Sequence, residues 1–167
     1  MTIGEKIKNA RNLRGLTQKE LGIKLGFDEK SADVRIAQYE SGTRTPKLEL
    51  LSEIANILDV NINSLKNPSL ENIETFIHLL FDLEQESQKH HTNKFSIISV
   101  HDELGNPQPA IQFNNHLLNE FLSEWQLRRK ELSDEIITKE EYAEWMMSFP
   151  ATSDECGKNK PVKKWRK

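Results

Sequence analysis

The stretch from Thr17 to Gly42, TQKELGIKLGFDEKSADVRIAQYESG, constrains this chain more than any other. Thr17 opens a helix as a capping box: its hydroxyl accepts from the first-turn backbone, and Glu20 reciprocates from the third position after it. Leu21 and Leu25 stand one helical turn apart, so they share the buried stripe of a short helix. Gly26 ends that helix, since glycine takes the positive φ of a helix C-terminus freely. Ile36 and Tyr39 give a second helix its inward face, and Gly42 closes it. Between the two, Asp28 to Asp33 leaves two readings open: Asp28 caps a long second helix, or Ser31 caps a shorter one. Two short helices joined by a turn, with a polar outer face on the second, are suited to laying that face in a DNA major groove.

The flanking residues supply the core that such short helices need. Ile3, Ile7, Ala10 and Leu13 recur at helical spacing among Lys6, Lys8, Arg11 and Arg14, and that helix ends near Gly15. After Gly42, the run Thr43-Arg44-Thr45-Pro46 reads as a loop, with Pro46 at or near the first position of the next helix. Leu48, Leu51, Ile54, Ala55 and Leu58 line that fourth helix, and Ile62 and Leu65 belong to a short fifth one. The expectation is a compact five-helix domain over residues 1–68.

Asn67-Pro68-Ser69 marks a boundary, with Ser69 placed to cap a long helix that carries Leu70, Ile73, Phe76, Ile77, Leu80, Phe81 and Leu83. FSIISV and AIQFN, on either side of the turn-rich DELGNPQP, predict a β-hairpin, which needs partners because two strands alone are marginal in water. Leu117, Leu118, Phe121, Leu122 and Trp125 predict a further helix. Thr138 and Glu141 repeat the capping box ahead of Tyr142, Trp145 and Met146, and Pro150 ends that helix. From Ala151 onward, few apolar anchors and many lysines predict disorder. The fold class is therefore mainly α. A five-helix DNA-binding domain (1–68) precedes a small α+β region (69–150) of helix, hairpin and two helices, for dimerisation or signal reception, and then a disordered basic tail (151–167).

Charge divides the chain in the same way. Residues 1–68 carry 11 Lys/Arg against 9 Asp/Glu, residues 69–150 carry 6 against 15, and residues 151–167 carry 6 against 2. Phosphate contacts are thus expected from the first segment and the tail, while the middle repels DNA. The single cysteine, Cys156, allows no disulfide or Cys-based metal site within one chain. The adjacent His90 and His91, with His78, His101 and His116 elsewhere, lack ligand spacing, so neither a metal nor a cofactor is expected. Nothing pairs a nucleophile with a base at recognisable spacing, which argues against an enzyme. The N-terminus MTIGEKIKNARNLRG lacks the apolar core of a signal peptide, and no apolar run approaches the roughly 20 residues that span a bilayer. The expectation is a soluble, cytoplasmic protein that makes no membrane contact.

Leu16-Thr17-Gln18-Lys19-Glu20-Leu21, Leu25-Gly26, Ile36, Tyr39-Glu40-Ser41-Gly42 and Thr45-Pro46 together carry a resemblance. Residues 3–65 resemble the helix-turn-helix domain of the lambda-repressor/Cro-type family, also called the XRE family. The resemblance implies that Asp33, Val34, Arg35 and Gln38 meet base edges. Arg35 suits guanine O6 and N7, Gln38 suits adenine N6 and N7, and Val34 suits a thymine methyl. Asp33 accepts from cytosine, orients Arg35, or serves the helix N-terminus. Thr17, Gln18, Lys30, Ser31, Thr43 and Arg44 are the implied DNA-backbone contacts, and Arg11 with Glu40 an implied structural pair. Against the family's compact turn, about four extra residues, Asp28-Glu29-Lys30-Ser31, either lengthen the turn or extend the helix. The implied function is a sequence-specific transcriptional regulator. Its leading form is a homodimeric repressor on a palindromic operator in double-stranded DNA. The alternative is an antitoxin whose C-terminal region neutralises a toxin, and a protein antagonist is a further possible partner.

Overall fold

The computed structural model of the chain describes residues 1–66 and 73–166. The expected Asn67-Pro68-Ser69 boundary and the Ser69 cap with Leu70 lie outside them. Met1–Asn67 together with Arg128–Lys167 makes one compact unit, and Pro68–Leu127 makes a second.

The first unit opens with α1 (Ile3–Leu13), α2 (Gln18–Lys24), α3 (Ala32–Glu40), α4 (Leu48–Leu58) and α5 (Ile62–Leu65). Capping boxes start α1 at Thr2 and α2 at Thr17. The apolar stripes converge on one core of Ile7, Ala10, Leu21, Ile36, Tyr39, Leu51, Ile54, Ala55, Leu58 and Leu65. A Cβ on Gly22 would lie 2.6 Å from the Ala32 carbonyl oxygen and 2.8 Å from the Ala32 Cβ, so only glycine lets α2 and α3 come this close. Pro46 is buried but stands before the N-cap Lys47, so it precedes the first helical position rather than occupying it.

Of the two readings of Asp28–Asp33, the shorter helix is the one observed. The Asp28 carboxylate accepts from the Lys30 N–H at 2.9 Å, and the Ser31 hydroxyl donates to the Asp28 carbonyl at 3.3 Å. This local bonding competes with helix formation, and the four residues therefore lengthen the turn. Ser31 occupies the N-cap position without making a side-chain cap bond.

The C-terminal part of the same unit corrects the expectation of a disordered tail over 151–167. After α7 (His116–Ser133) and α8 (Lys139–Ser148), whose capping box at Thr138 forms as predicted, residues 149–166 fold back on the unit. Trp165 is 5% exposed in a second core with Ile137 and Trp145, against which Leu132, Tyr142 and Phe149 pack. Thr152 is fully buried, and its hydroxyl donates to the Trp145 carbonyl at 2.7 Å. The buried Arg128 guanidinium pairs with Asp154 and Glu131, and Arg166 joins Glu131 at 2.8 Å. One tryptophan and a set of ion pairs thus anchor a segment whose average composition reads as unfolded.

α8 is tied to the helical domain through Asn61. Its amide N–H donates to the Met147 carbonyl and its Nδ2 to the Phe149 carbonyl, both at 2.9 Å. Glu144 receives Arg14, Lys163 (2.9 Å) and the Ser148 hydroxyl (2.9 Å). Burial raises the Glu144 pKa, but the hydrogen bonds from Arg14, Lys163 and Ser148 outweigh it and bring the value down to about 2.

The second unit holds α6 (Ile73–Lys89), β1 (Phe95–His101), β2 (Pro107–Phe113) and the N-terminal part of α7. The strands pair antiparallel from Phe95 opposite Phe113 to His101 opposite Pro107. Pro107 and Pro109, expected in the turn, lie inside β2. At either end of the hairpin, Asn114 N–H donates to the Lys94 carbonyl and Asp102 N–H to the Asn106 carbonyl. The even-numbered residues of β1 therefore make the ladder, and both prolines fall at odd positions whose N–H would point away from it. Among the described residues no hydrophobic side chain of this unit is buried, and Ile73, Phe81, Ile97 and Trp125 are each 46% exposed or more. Tyr142 and Trp145, grouped with this region on sequence grounds, belong to the other unit. Among the described residues, no helix is long and apolar enough to cross a membrane.

Candidate nucleic-acid interface

An α-helix turns about 100° per residue, which sorts the side chains of α3 without ambiguity. Ala32, Ile36, Tyr39 and Glu40 are buried and define the inner face. Val34 and Gln38, one turn apart, lie at the middle of the opposite face, and Val34 is 53% exposed. Arg35 and Asp33 stand on the two flanks of that face. The outer surface of α3 thus presents an apolar group, an amide, a guanidinium and a carboxylate within two turns.

The inner face is fixed by an ion pair rather than by packing alone. Arg11 on α1 donates from Nε to Glu40 Oε1 at 2.6 Å and from Nη2 to Oε2 at 3.0 Å. Its Nη1 reaches the Leu16 carbonyl at 2.6 Å. Gln18, the first residue of α2, donates from Nε2 to Glu40 Oε2 at 2.8 Å. One buried carboxylate therefore joins the starts of α2 and the end of α3 to α1, and this holds the angle at which α3 stands.

Two flank residues acquire partners that the sequence did not announce. The Arg35 guanidinium lies over the Phe27 ring, 3.9 Å from its centroid, so an aromatic shelf from the lengthened turn restricts it. Phe27 carries no polar group, and only its position after Gly26 hints at this use. The Asp33 carboxylate accepts from the Val34 N–H at 2.8 Å in the first turn of α3, as an anion at a helix N-terminus does.

The remaining predicted residues surround this face. The Thr17 hydroxyl and N–H are both engaged with Glu20, the N–H at 2.7 Å, so Thr17 secures the start of α2. Lys30 and Ser31 lie in the turn before α3, Lys30 with an exposed side chain. Beyond α3, the Thr43 hydroxyl is 2.9 Å from that of Ser41, and the Arg44 N–H donates to the Gln38 carbonyl at 3.0 Å. That bond folds the loop back and leaves the Arg44 side chain exposed. Lys19, which the sequence reading left without a role, pairs with Glu29 of the turn at 2.8 Å, and that hydrogen bond raises its pKa. Among the described residues no group of three or more His, Cys, Asp or Glu is placed to hold a metal ion.

Two helices joined by a lengthened turn, the second with a polar face turned outward, have the arrangement of a helix-turn-helix. Residues 7–65, less than half of the chain's 167 residues, match the helix-turn-helix family, in keeping with the resemblance read from the sequence. A solved structure, described as the crystal structure of transcriptional regulator BswR, is similar to the chain at 29% sequence identity. The match covers 53% of this chain and 98% of that one, with a TM-score of 0.39. No curated protein matches the chain significantly.

Proposed function

We propose that the chain is a sequence-specific repressor that binds a two-fold operator as a dimer, with α3 in the major groove. The outward face of α3 carries this reading. Val34 and Gln38 sit at its centre, and Arg35 flanks it on the Phe27 shelf. Arg35 takes guanine, Gln38 takes adenine and Val34 packs on a thymine methyl. Asp33 holds the start of α3 and orients the neighbouring donors. Gln18, Lys30, Thr43 and Arg44 contact phosphates around that face, while Thr17 fixes the start of α2 and Ser31 the turn before α3.

A single helix-turn-helix reads few base pairs, so affinity requires two copies on half-sites about one helical turn apart. The acidic second unit is repelled by DNA and is free for that pairing. Footprinting on the DNA flanking the chain's own gene identifies the operator. On that site Arg35→Ala and Gln38→Ala should each lose about 1–3 kcal/mol and relax specificity at one base pair. An equal loss on unrelated DNA removes them as base readers.

A further inference from the structure

The hairpin of the second unit has two edges, and they are chemically unlike. On β2, the outward positions include Pro107 and Pro109, which offer no N–H to a neighbour. On β1, the outward positions are Phe95, Ile97, Ser99 and His101, and the last three, all exposed, turn their backbone N–H and carbonyl away from β2. Every residue from Ile97 to His101 is exposed, and the sheet contains only these two strands among the described residues. A long, bare edge of this kind invites another strand, and a two-stranded hairpin in water lacks the support of one.

We propose that the outer edge of β1 is the seam on which a second copy of this chain pairs, antiparallel, about a two-fold axis through Ser99. This rests on the dimer reading above and deepens it. Three observations select a second copy over another partner. First, the exposed run is centred on Ser99, and Ser99 is an outward residue. Placing Ser99 opposite its own copy therefore sets Ile97 opposite His101 in both directions, and about six main-chain hydrogen bonds form. Second, Ile98 and Val100, 37% and 42% exposed, then meet across the seam at the closely spaced, non-hydrogen-bonded pairs. Third, β1 carries no Asp, Glu, Lys or Arg, so it meets itself without repulsion. The wet face of α6, with Glu74, Asp82, Glu84 and Glu86, would repel its own copy. The resulting four-stranded sheet ends on a proline-bearing β2 at both sides. Assembly therefore stops at two chains instead of continuing as a fibre.

The test uses the full chain. Ser99→Pro removes the central outward N–H and leaves the β1–β2 ladder intact, because Ser99 is not a ladder position. Sedimentation equilibrium at micromolar concentration should give two chains for the wild type and one for Ser99→Pro, with unchanged far-UV circular dichroism. Independently, Ser99→Cys in a Cys156→Ser background should cross-link under mild oxidation. A hydrogen-bonded antiparallel pair holds its Cα atoms about 5.5 Å apart, within disulfide reach. Leu104→Cys, at the hairpin turn, should not cross-link. If the wild type is a single chain, both the seam and the dimer reading fail. If the wild type is two chains but Ser99→Cys does not cross-link or Ser99→Pro stays dimeric, the seam fails and the dimer reading stands.

Discussion

The two units solve the burial problem in opposite ways. The first closes its apolar stripes into two cores and threads charged side chains through them: Arg11 with Glu40, and Arg128 with Asp154 and Glu131. The second has comparable apolar material in α6, β1 and α7, yet none of its described hydrophobic side chains is buried. Helical spacing is present in both, so amphipathicity alone does not make a core. What differs is whether a second apolar face is available within the chain to meet the first. A unit finished within one chain fixes the stance of α3 against α1 and α2. A unit without such a match leaves its apolar side chains exposed, which is where the proposed seam lies.

The contrast is most open to attack at Glu40. Replacing it with alanine leaves the Arg11 guanidinium buried without its carboxylate and detaches Gln18. A loss of about 3–5 kcal/mol is expected in urea unfolding of the full chain. A loss below about 1 kcal/mol would mean that the buried ion pair does not hold the first unit together. Next is Trp165→Ala, which opens the second core. It should cost about 3 kcal/mol and expose residues 151–166 to limited proteolysis. If the digestion pattern of that segment is unchanged, Trp165 is not its anchor.

A smaller effect comes through Glu144. Its carboxyl is held at about 2 against an ordinary 4.5, so its contribution to stability is complete above pH 4.5 and disappears as pH falls through about 2. After allowance for solvent screening, this should amount to about 1 kcal/mol. Glu144→Gln should flatten that part of the stability–pH curve, and an unaltered acid limb would assign it to other carboxylates. The smallest effect belongs to the second unit. Ile73→Ser should change the stability of dilute protein by less than about 0.5 kcal/mol, because Ile73 is 73% exposed. A loss of several kcal/mol there would erase the distinction between the two units.

Much of the first unit was legible in the sequence because its signals are local. The capping boxes at Thr17 and Thr138, the stripe through Leu21, Ile36 and Tyr39, and the stop at Gly42 each depend on residues within one or two turns. The placement of Val34 and Gln38 at the middle of one face follows from the same periodicity. The shelf under Arg35 was not legible, since Phe27 and Arg35 meet only once the lengthened turn brings them together. The role of Pro107 and Pro109 was hidden as well. Proline reads as a turn residue until strand register shows which way its missing N–H points.

The sequence by itself determined where α1 and α2 begin and end, where α3 stops, and which face of each is apolar, because hydrogen bonding and periodicity within a helix are local. Tertiary structure decided that α3 starts at Ala32, that Glu40 gathers Arg11 and Gln18, and that residues 151–166 pack down. Each of these depends on groups that stand far apart in the chain, such as Glu144 with Arg14 and Trp165 with Ile137. No local pattern records such a meeting, and only burial in a shared core makes it favourable.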